Sequence, residues 1–383
     1  WMEELTYTNI ESFCGAGGLS LGLQWAGFET LAAFDYDEPS LKTYNHYRGR
    51  NVAFKADSRH IEPGELLNHA GLGPGQNVDL FSGGPPCQGF SKQKRGAHLG
   101  DDRNHRVIDF AVLAKGLNPR FFVLENVAQF GKKRGKDFVS RINDLLGERY
   151  NLTPHTYNAA DYGLAQTRRR FVIVGQRNDV IGEFEVPSPT VTKWRTVWEQ
   201  IGDLPEPPED CSVHPSYPNH QVSNVSDLNV ERFSHVPPGG GWRDIPYELR
   251  LDCHKRVDPS SGGWPDVYGR LEWDGQAPTI TKGFDSFTRG RYGHPEYDRP
   301  ITPREAARFQ GFPDEYEFVG NRGEVRSQIG NAVPPPLAAA IGYKIRRALM
   351  VDDGLLPEAD KKSPSVGANG QLKLNMKLEK LEV

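Results

Sequence analysis

The chain has 383 residues, 37% of them hydrophobic, with 29 prolines, 41 glycines and a formal net charge of −4. That length suits two domains, or one domain with a large insertion, and no apolar stretch or leader suggests a membrane span or a signal peptide. The negative balance excludes a blanket attraction to polyanions, so any nucleic-acid site must be a local patch.

The first elements read as strand, glycine loop and helix. Thr8–Phe13 leads into Cys14-Gly15-Ala16-Gly17-Gly18, and Leu19–Trp25 follows with helical spacing. A second strand, Glu29–Phe34, ends at Asp35-Tyr36-Asp37. This is the general plan for an adenosine-bearing cofactor: the Asp35 carboxylate would accept from ribose hydroxyls and Tyr36 would pack on adenine. The loop lacks the Gly-x-Gly-x-x-Gly spacing, which weakens a dinucleotide reading and leaves a smaller adenosyl cofactor open.

The apolar run Val78–Phe81 ends in Ser82-Gly83-Gly84-Pro85-Pro86-Cys87-Gln88. Two prolines fix the backbone ahead of the thiol, which is thereby presented at a strand end as a candidate nucleophile. A buried, inert cysteine is the alternative, but that residue normally sits inside a periodic apolar segment. Arg120–Leu124 is a buried-strand run that ends at Glu125-Asn126-Val127. Taken singly, Glu125 reads equally as a loop acid. Together, a nucleophile and a proton donor at the same strand edge make a site. Next, Gln166-Thr167-Arg168-Arg169-Arg170 enters the strand Phe171–Gly175. Alternation puts Arg168 and Arg170 on one face and Arg169 on the other, where guanidinium forks either hold a base oxygen and a phosphate or make structural ion pairs.

The stretch 186–300 changes texture, being rich in proline, glycine and tryptophan, as in Val236–Arg243 and Tyr268–Trp273. It is expected to be an inserted, smaller, irregular and β-rich domain, with 7–185 before it and 301–350 returning to the first domain. The tail, 351–383, reads as linker with a terminal strand over Gln371–Leu378. Cys211-x-x-His214 with Cys253-His254 is a poor spacing for a tetrahedral site, so no metal is expected. The four scattered cysteines suit a reducing, cytoplasmic setting.

In order and spacing these motifs resemble the cytosine-carbon-5 DNA methyltransferases, especially the single-chain bacterial type. Phe13–Gly18 resembles the cofactor loop, Pro85-Pro86-Cys87-Gln88 the nucleophile, Glu125-Asn126-Val127 the acid and Gln166–Arg170 the arginine motif. Thr302–Pro313 and Gln328–Val333 resemble the last two motifs, so the likeness runs from about residue 7 to 350. The resemblance implies an α/β, Rossmann-like S-adenosylmethionine-dependent methyltransferase fold, a mostly parallel sheet with helices on both faces, plus an inserted target-recognition domain at 186–300. It implies catalysis by Cys87, Glu125, Arg168 and Arg170, with S-adenosylmethionine (leaving as S-adenosylhomocysteine) held by Phe13, Gly15, Gly17, Gly18, Leu19, Asp35, Tyr36, Asp57, Ser58, Pro85, Asn331 and Val333. Asp35 stands where the family more often has glutamate.

Double-stranded DNA is the implied partner. The implied contacts are Gln88, Ser91, Lys92 and Arg95, in a loop covering a flipped base, and Arg243, Arg270, Lys282, Arg289 and Arg291 in the inserted domain. A monomer acting beside a companion restriction endonuclease is expected. Two other readings compete: a transfer-RNA cytosine methyltransferase, which would use the same thiol and acid, and a nicotinamide oxidoreductase, which would leave Cys87, Glu125 and the arginines unexplained.

Overall fold

A computed structural model describes residues 6–73, 75–86, 105–132, 135–258, 260 and 263–357. Cys87, the stretch to Asn104 and the tail from 358 lie outside the described residues. The chain opens as β1 (Tyr7–Ser12), α1 (Gly18–Trp25), β2 (Phe28–Asp35), α2 (Glu38–Arg48), β3 (Ala53–Lys55), α3 (Pro63–His69), β4 (Leu80–Gly83), α4 (Arg106–Leu117), β5 (Phe121–Val127), α5 (Lys136–Leu146), β6 (Tyr150–Asn158) and β7 (Arg169–Arg177). The seven strands form one sheet in the order β3-β2-β1-β4-β5-β7-β6. Neighbours from β3 to β5 run parallel, and β7 runs antiparallel to both β5 and β6.

The unbroken apolar run of β5 follows from burial on both faces. Phe122 and Leu124 join a core with Phe110, Phe138 and Ile142 of α4 and α5. Phe121 and Val123 point the other way, into a core with Leu19 and Leu23 of α1. The period of two holds on β7 as well, where Ile173 enters the first core and Val172 and Val174 the second. Helices on both faces of a mostly parallel sheet are the fold class that the sequence predicts.

Beyond β7 come α6 (Val197–Ile201), α7 (Asp227–Ser234), α8 (Asp252–Lys255), α9 (Pro303–Gln310), α10 (Arg322–Asn331) and α11 (Pro335–Asp352). The β-rich character expected for 186–300 is not what its described residues show. They form short helices and turns, with isolated bridges such as Arg270–Gly293 and no named strand. Proline and glycine interrupt the ladder, and buried carbonyls must then find donors elsewhere. Arginines supply them. Arg270 donates to the carbonyls of Phe233, Val236, His294 and Tyr297, and Arg304 to those of Pro218, Pro313 and Tyr316.

A capping box of Thr302 and Glu305 starts α9. Its Ala306 and Phe309 share a core with Ile329 of α10, Val197 of α6, and Leu271, Ile280 and Tyr292 of the inserted stretch. The chain rejoins the sheet layer at α11, whose Leu337 and Ile341 pack over Leu19, Leu23 and Phe28.

Candidate active site

Strand order reverses between β1 and β4, which opens a crevice at their carboxyl ends. The loop leaving β1 turns through left-handed backbone at Phe13 (φ 51°), Gly15 (φ 51°) and Gly17 (φ 90°). Open space lies over Gly15, while a Cβ on Gly18 would sit 2.3 Å from the Val333 carbonyl oxygen. Val333 also reaches Gly84, where an added Cβ would lie 3.8 Å from its Cγ2. The first glycine loop, the Gly-Pro-Pro turn and the last motif therefore meet at one place. Asn331 beside them is exposed, with its amide 3.4 Å from Ser327 Oγ. Leu19 turns its side chain into the core, so only its backbone is available to a ligand.

At the end of β2 the Asp35 carboxylate accepts from the backbone N–H of Gly15 (2.8 Å) and of Asp37 (2.9 Å). Burial raises its pKa, and those N–H donors oppose the rise. Tyr36 is 71% exposed, a free ring face with Lys55 Nζ 5.7 Å from its centroid. Beyond β3, Asp57 accepts from Arg59 Nε at 3.0 Å, and that guanidinium holds its carboxyl well below the usual range. Ser58 Oγ donates to Asp109 at 2.9 Å. A flat exposed aromatic between two fixed carboxylates, beside a bare glycine turn, fits an adenosyl group.

The acid edge is tighter. Glu125 is 8% exposed, its Oε1 2.8 Å from Arg170 Nε. Its Oε2 lies 3.2 Å from where a Gly84 Cβ would be, against the bare backbone three residues ahead of Cys87. Pro85, buried next to it, accepts from Asn126 Nδ2 at 3.2 Å, which locks the end of β4 to the end of β5. Burial raises the Glu125 pKa while Arg170 and Arg168 pull it down. Because β7 is antiparallel, its first residues lie at this edge, with Arg170 opposite Val127.

The two arginines part company here. Arg169 is exposed and Arg168 buried, as alternation predicts. Arg168, however, spends its fork on the carbonyls of Ile280 (2.8 Å), Ala332 (2.8 Å) and Gly330 (3.2 Å). It braces the segment at Ile280 and the end of α10. Arg170 is the one of the two whose guanidinium pairs with Glu125.

Among the expected DNA contacts, Arg243, Lys282 and Arg289 are exposed. Arg270 and Arg291 are engaged within the protein. Arg270 is 4% exposed with its donors on carbonyls and Asp298, and Arg291 donates to the carbonyls of Gly239, Gly240 and Arg270. Both add donors to backbone oxygens of the irregular stretch, some of which, such as those of Phe233 and Gly240, also accept from a backbone N–H. Gln88, Ser91, Lys92 and Arg95 lie outside the described residues.

Sequence reasoning missed Glu11 and Tyr316. Glu11 is an acid within β1, buried beneath the glycine loop, with Tyr44 Oη donating to it at 3.1 Å. Burial pushes its pKa up to about 7. The Tyr316 hydroxyl donates to the Ala16 carbonyl and ties the loop down from the far end of the chain. Glu11 carries little signal in the sequence, because β1 (Tyr-Thr-Asn-Ile-Glu-Ser) is itself half polar.

Residues 7–347 match the family model for C-5 cytosine-specific DNA methylases. The chain is 36% identical to the type II methylase M.HgiDII of Herpetosiphon aurantiacus, over 89% of this chain and 95% of that protein. It is 34% identical to the type II methyltransferase M1.HphI of Haemophilus parahaemolyticus, over 89% and 87%. Among solved structures it resembles a putative prophage-encoded DNA modification methyltransferase from E. coli, at TM-score 0.67 and 25% identity over 90% of this chain and 99% of that one. The fold also matches that of the S. pombe Dnmt2 methyltransferase, at TM-score 0.61 and 16% identity over 91% and 99%. With its glycine turn, its strand-end acid and its closing segment all within that match, the chain belongs to the C-5 cytosine-specific DNA methylase family.

Proposed function

We propose that the protein methylates carbon 5 of one cytosine within a specific duplex DNA sequence, as the protecting methylase of a type II restriction-modification system. The observation that carries the site assignment is the buried Glu125 carboxyl, paired with Arg170 and pressed against Gly84 just ahead of Cys87. S-adenosylmethionine, when bound by the Gly15–Gly18 turn, Asp35, Tyr36, Asp57 and Val333, supplies a sulfonium-activated methyl group.

Cytosine's carbon 5 is a poor nucleophile, so the chain's own groups must activate the ring. The Cys87 thiolate adds to carbon 6 while Glu125, protonated, donates to ring nitrogen 3, which leaves carbon 5 electron-rich. A dry setting keeps the proton on Glu125. Arg170, already aligned on Glu125, also holds the base's carbonyl oxygen. When the carbon-5 proton leaves, the electron pair returns and Cys87 is expelled. The cytosine has to be flipped out of the helix for this, at about a few kcal/mol. The exposed cations of the inserted stretch serve DNA recognition, and a monomer suffices.

Bisulfite sequencing of plasmid from cells expressing the protein tests the reading. Wild type should convert one cytosine in a recurring sequence to 5-methylcytosine. Cys87→Ser should abolish transfer yet keep S-adenosylmethionine binding, and Glu125→Gln should slow it by about a hundredfold or more. Methylation of transfer RNA in place of duplex DNA, or full activity of Cys87→Ser, would refute it.

A further inference from the structure

We infer that α10 and the segment 281–289 together form a binding patch for the phosphate backbone of duplex DNA, with Arg322 and Arg326 aimed by the buried carboxylate of Asp285. The inference rests on the DNA reading above and adds Arg322, Arg326 and Asp285, which no motif marks, to the expected contacts Lys282 and Arg289.

One face of α10 carries Arg322, Arg326 and Gly330 at successive turns. That face is pressed on the inserted segment, since a Cβ on Gly330 would fall 2.5 Å from the Lys282 nitrogen. Asp285, with its side chain fully enclosed, accepts from Arg322 Nε at 2.5 Å and from Arg326 Nη1 at 3.1 Å. Ser223 Oγ adds a third bond at 3.3 Å. One carboxylate thus holds two guanidinia, and a positive charge is left over. Both side chains stay reachable, 47% and 33% exposed. Arg326 Nε is buried with no hydrogen-bond partner.

Lys282 and Arg289 add two exposed cations without ion-pair partners among the described residues, and the Arg289 stem folds back over Gly283. The nearby Glu324 is turned away to accept from the Asn321 N–H at 2.7 Å. Four cations against two acids, Asp285 and Glu324, leave this surface positive on a chain of net charge −4.

The location suits DNA. Ile280, two residues before Lys282, and Gly330, at the end of the arginine face, both give their carbonyls to Arg168 beside the Glu125 edge. A duplex delivering a base to Glu125 passes along this rim. Arginines of α10 pinned by a carboxylate, with Lys282 and Arg289 on the facing segment, supply point charges at fixed positions. That suits phosphates, which set register, more than base edges.

The test is duplex binding across a salt series, with S-adenosylmethionine affinity measured by calorimetry as the folding control. The variants are Arg322→Gln with Arg326→Gln in an Asp285→Asn background, which leaves no orphaned buried charge, and separately Lys282→Gln with Arg289→Gln. Each lost phosphate contact should flatten the plot of log K against log salt by about 0.9 and weaken target and non-target duplexes alike. Wild-type slopes in both variants would overturn the patch and leave the DNA reading standing. Absence of salt-dependent duplex binding in wild type would overturn both. If the triple variant no longer binds S-adenosylmethionine, the Lys282/Arg289 pair decides, and an unchanged slope there overturns the patch.

Discussion

Glu11 offers a measurement of the strain that this fold carries beneath its cofactor loop. The side chain is 1% exposed on β1, and burial dominates its environment. Ser20, Arg48 and Tyr44 offset that burial only in part, leaving a pKa of about 7. An unfolded glutamate titrates near about 4.3. Between those values the folded protein keeps a proton that the unfolded chain releases, so stability falls as pH rises through that window and levels off above it. At about 1.36 kcal/mol per pKa unit, the loss from one residue is about 3–4 kcal/mol by pH 8.

Glu11→Gln retains an oxygen for the Tyr44 hydroxyl and cannot ionise. Arg48 keeps its bond to Ser20 Oγ at 2.7 Å. Urea unfolding should show wild type losing about 2.5 kcal/mol more than the variant between about pH 5 and pH 8, with the two converging only near about pH 4. Parallel stability curves for the two proteins would refute the assignment, because the remaining carboxyls are common to both.

Gly18→Ala would place a methyl group 2.3 Å from the Val333 carbonyl and push the closing segment off the loop. Calorimetry should find S-adenosylmethionine affinity reduced at least about tenfold, about 1.4 kcal/mol. Arg270→Met should cost about 3 kcal/mol of stability, read as a lowered urea midpoint, because it strips donors from four carbonyls. A residue whose only job was reading bases would leave that midpoint unchanged.

The sheet was legible wherever burial on both faces wrote an unbroken apolar run, as in Phe121–Leu124, and wherever glycine spacing marked the turn out of β1. Glu125 was legible because it ends such a run. β6 was not, since Tyr150–Asn158 mixes threonine, histidine, asparagine and proline. It is an edge strand with one open side, where Pro154 leaves no ladder hydrogen bond unmade in the interior. The arginines were read by type but not by duty. Nothing local distinguishes Arg270, which satisfies carbonyls, from Lys282 or Arg289, which face solvent, because the need for donors arises only once the irregular segment has packed. For the same reason the texture change near residue 300 does not by itself say which side chains pack together: α9 and α10 share a core with residues of the stretch before them.

Val333 resting on Gly18, with α11 laid over α1, has a consequence for how the protein is made. Every strand of the sheet has been synthesised by Arg177, yet the face bearing Leu19, Leu23, Phe28 and Val123 waits for Leu337 and Ile341 to cover it. A nascent chain on the ribosome therefore carries a complete sheet with one apolar side bare for more than a hundred further residues. If the proposed function holds, the methyl-donor site would stay open until Val333 and α11 are made, and an unfinished chain would lack the segment that closes over Gly18.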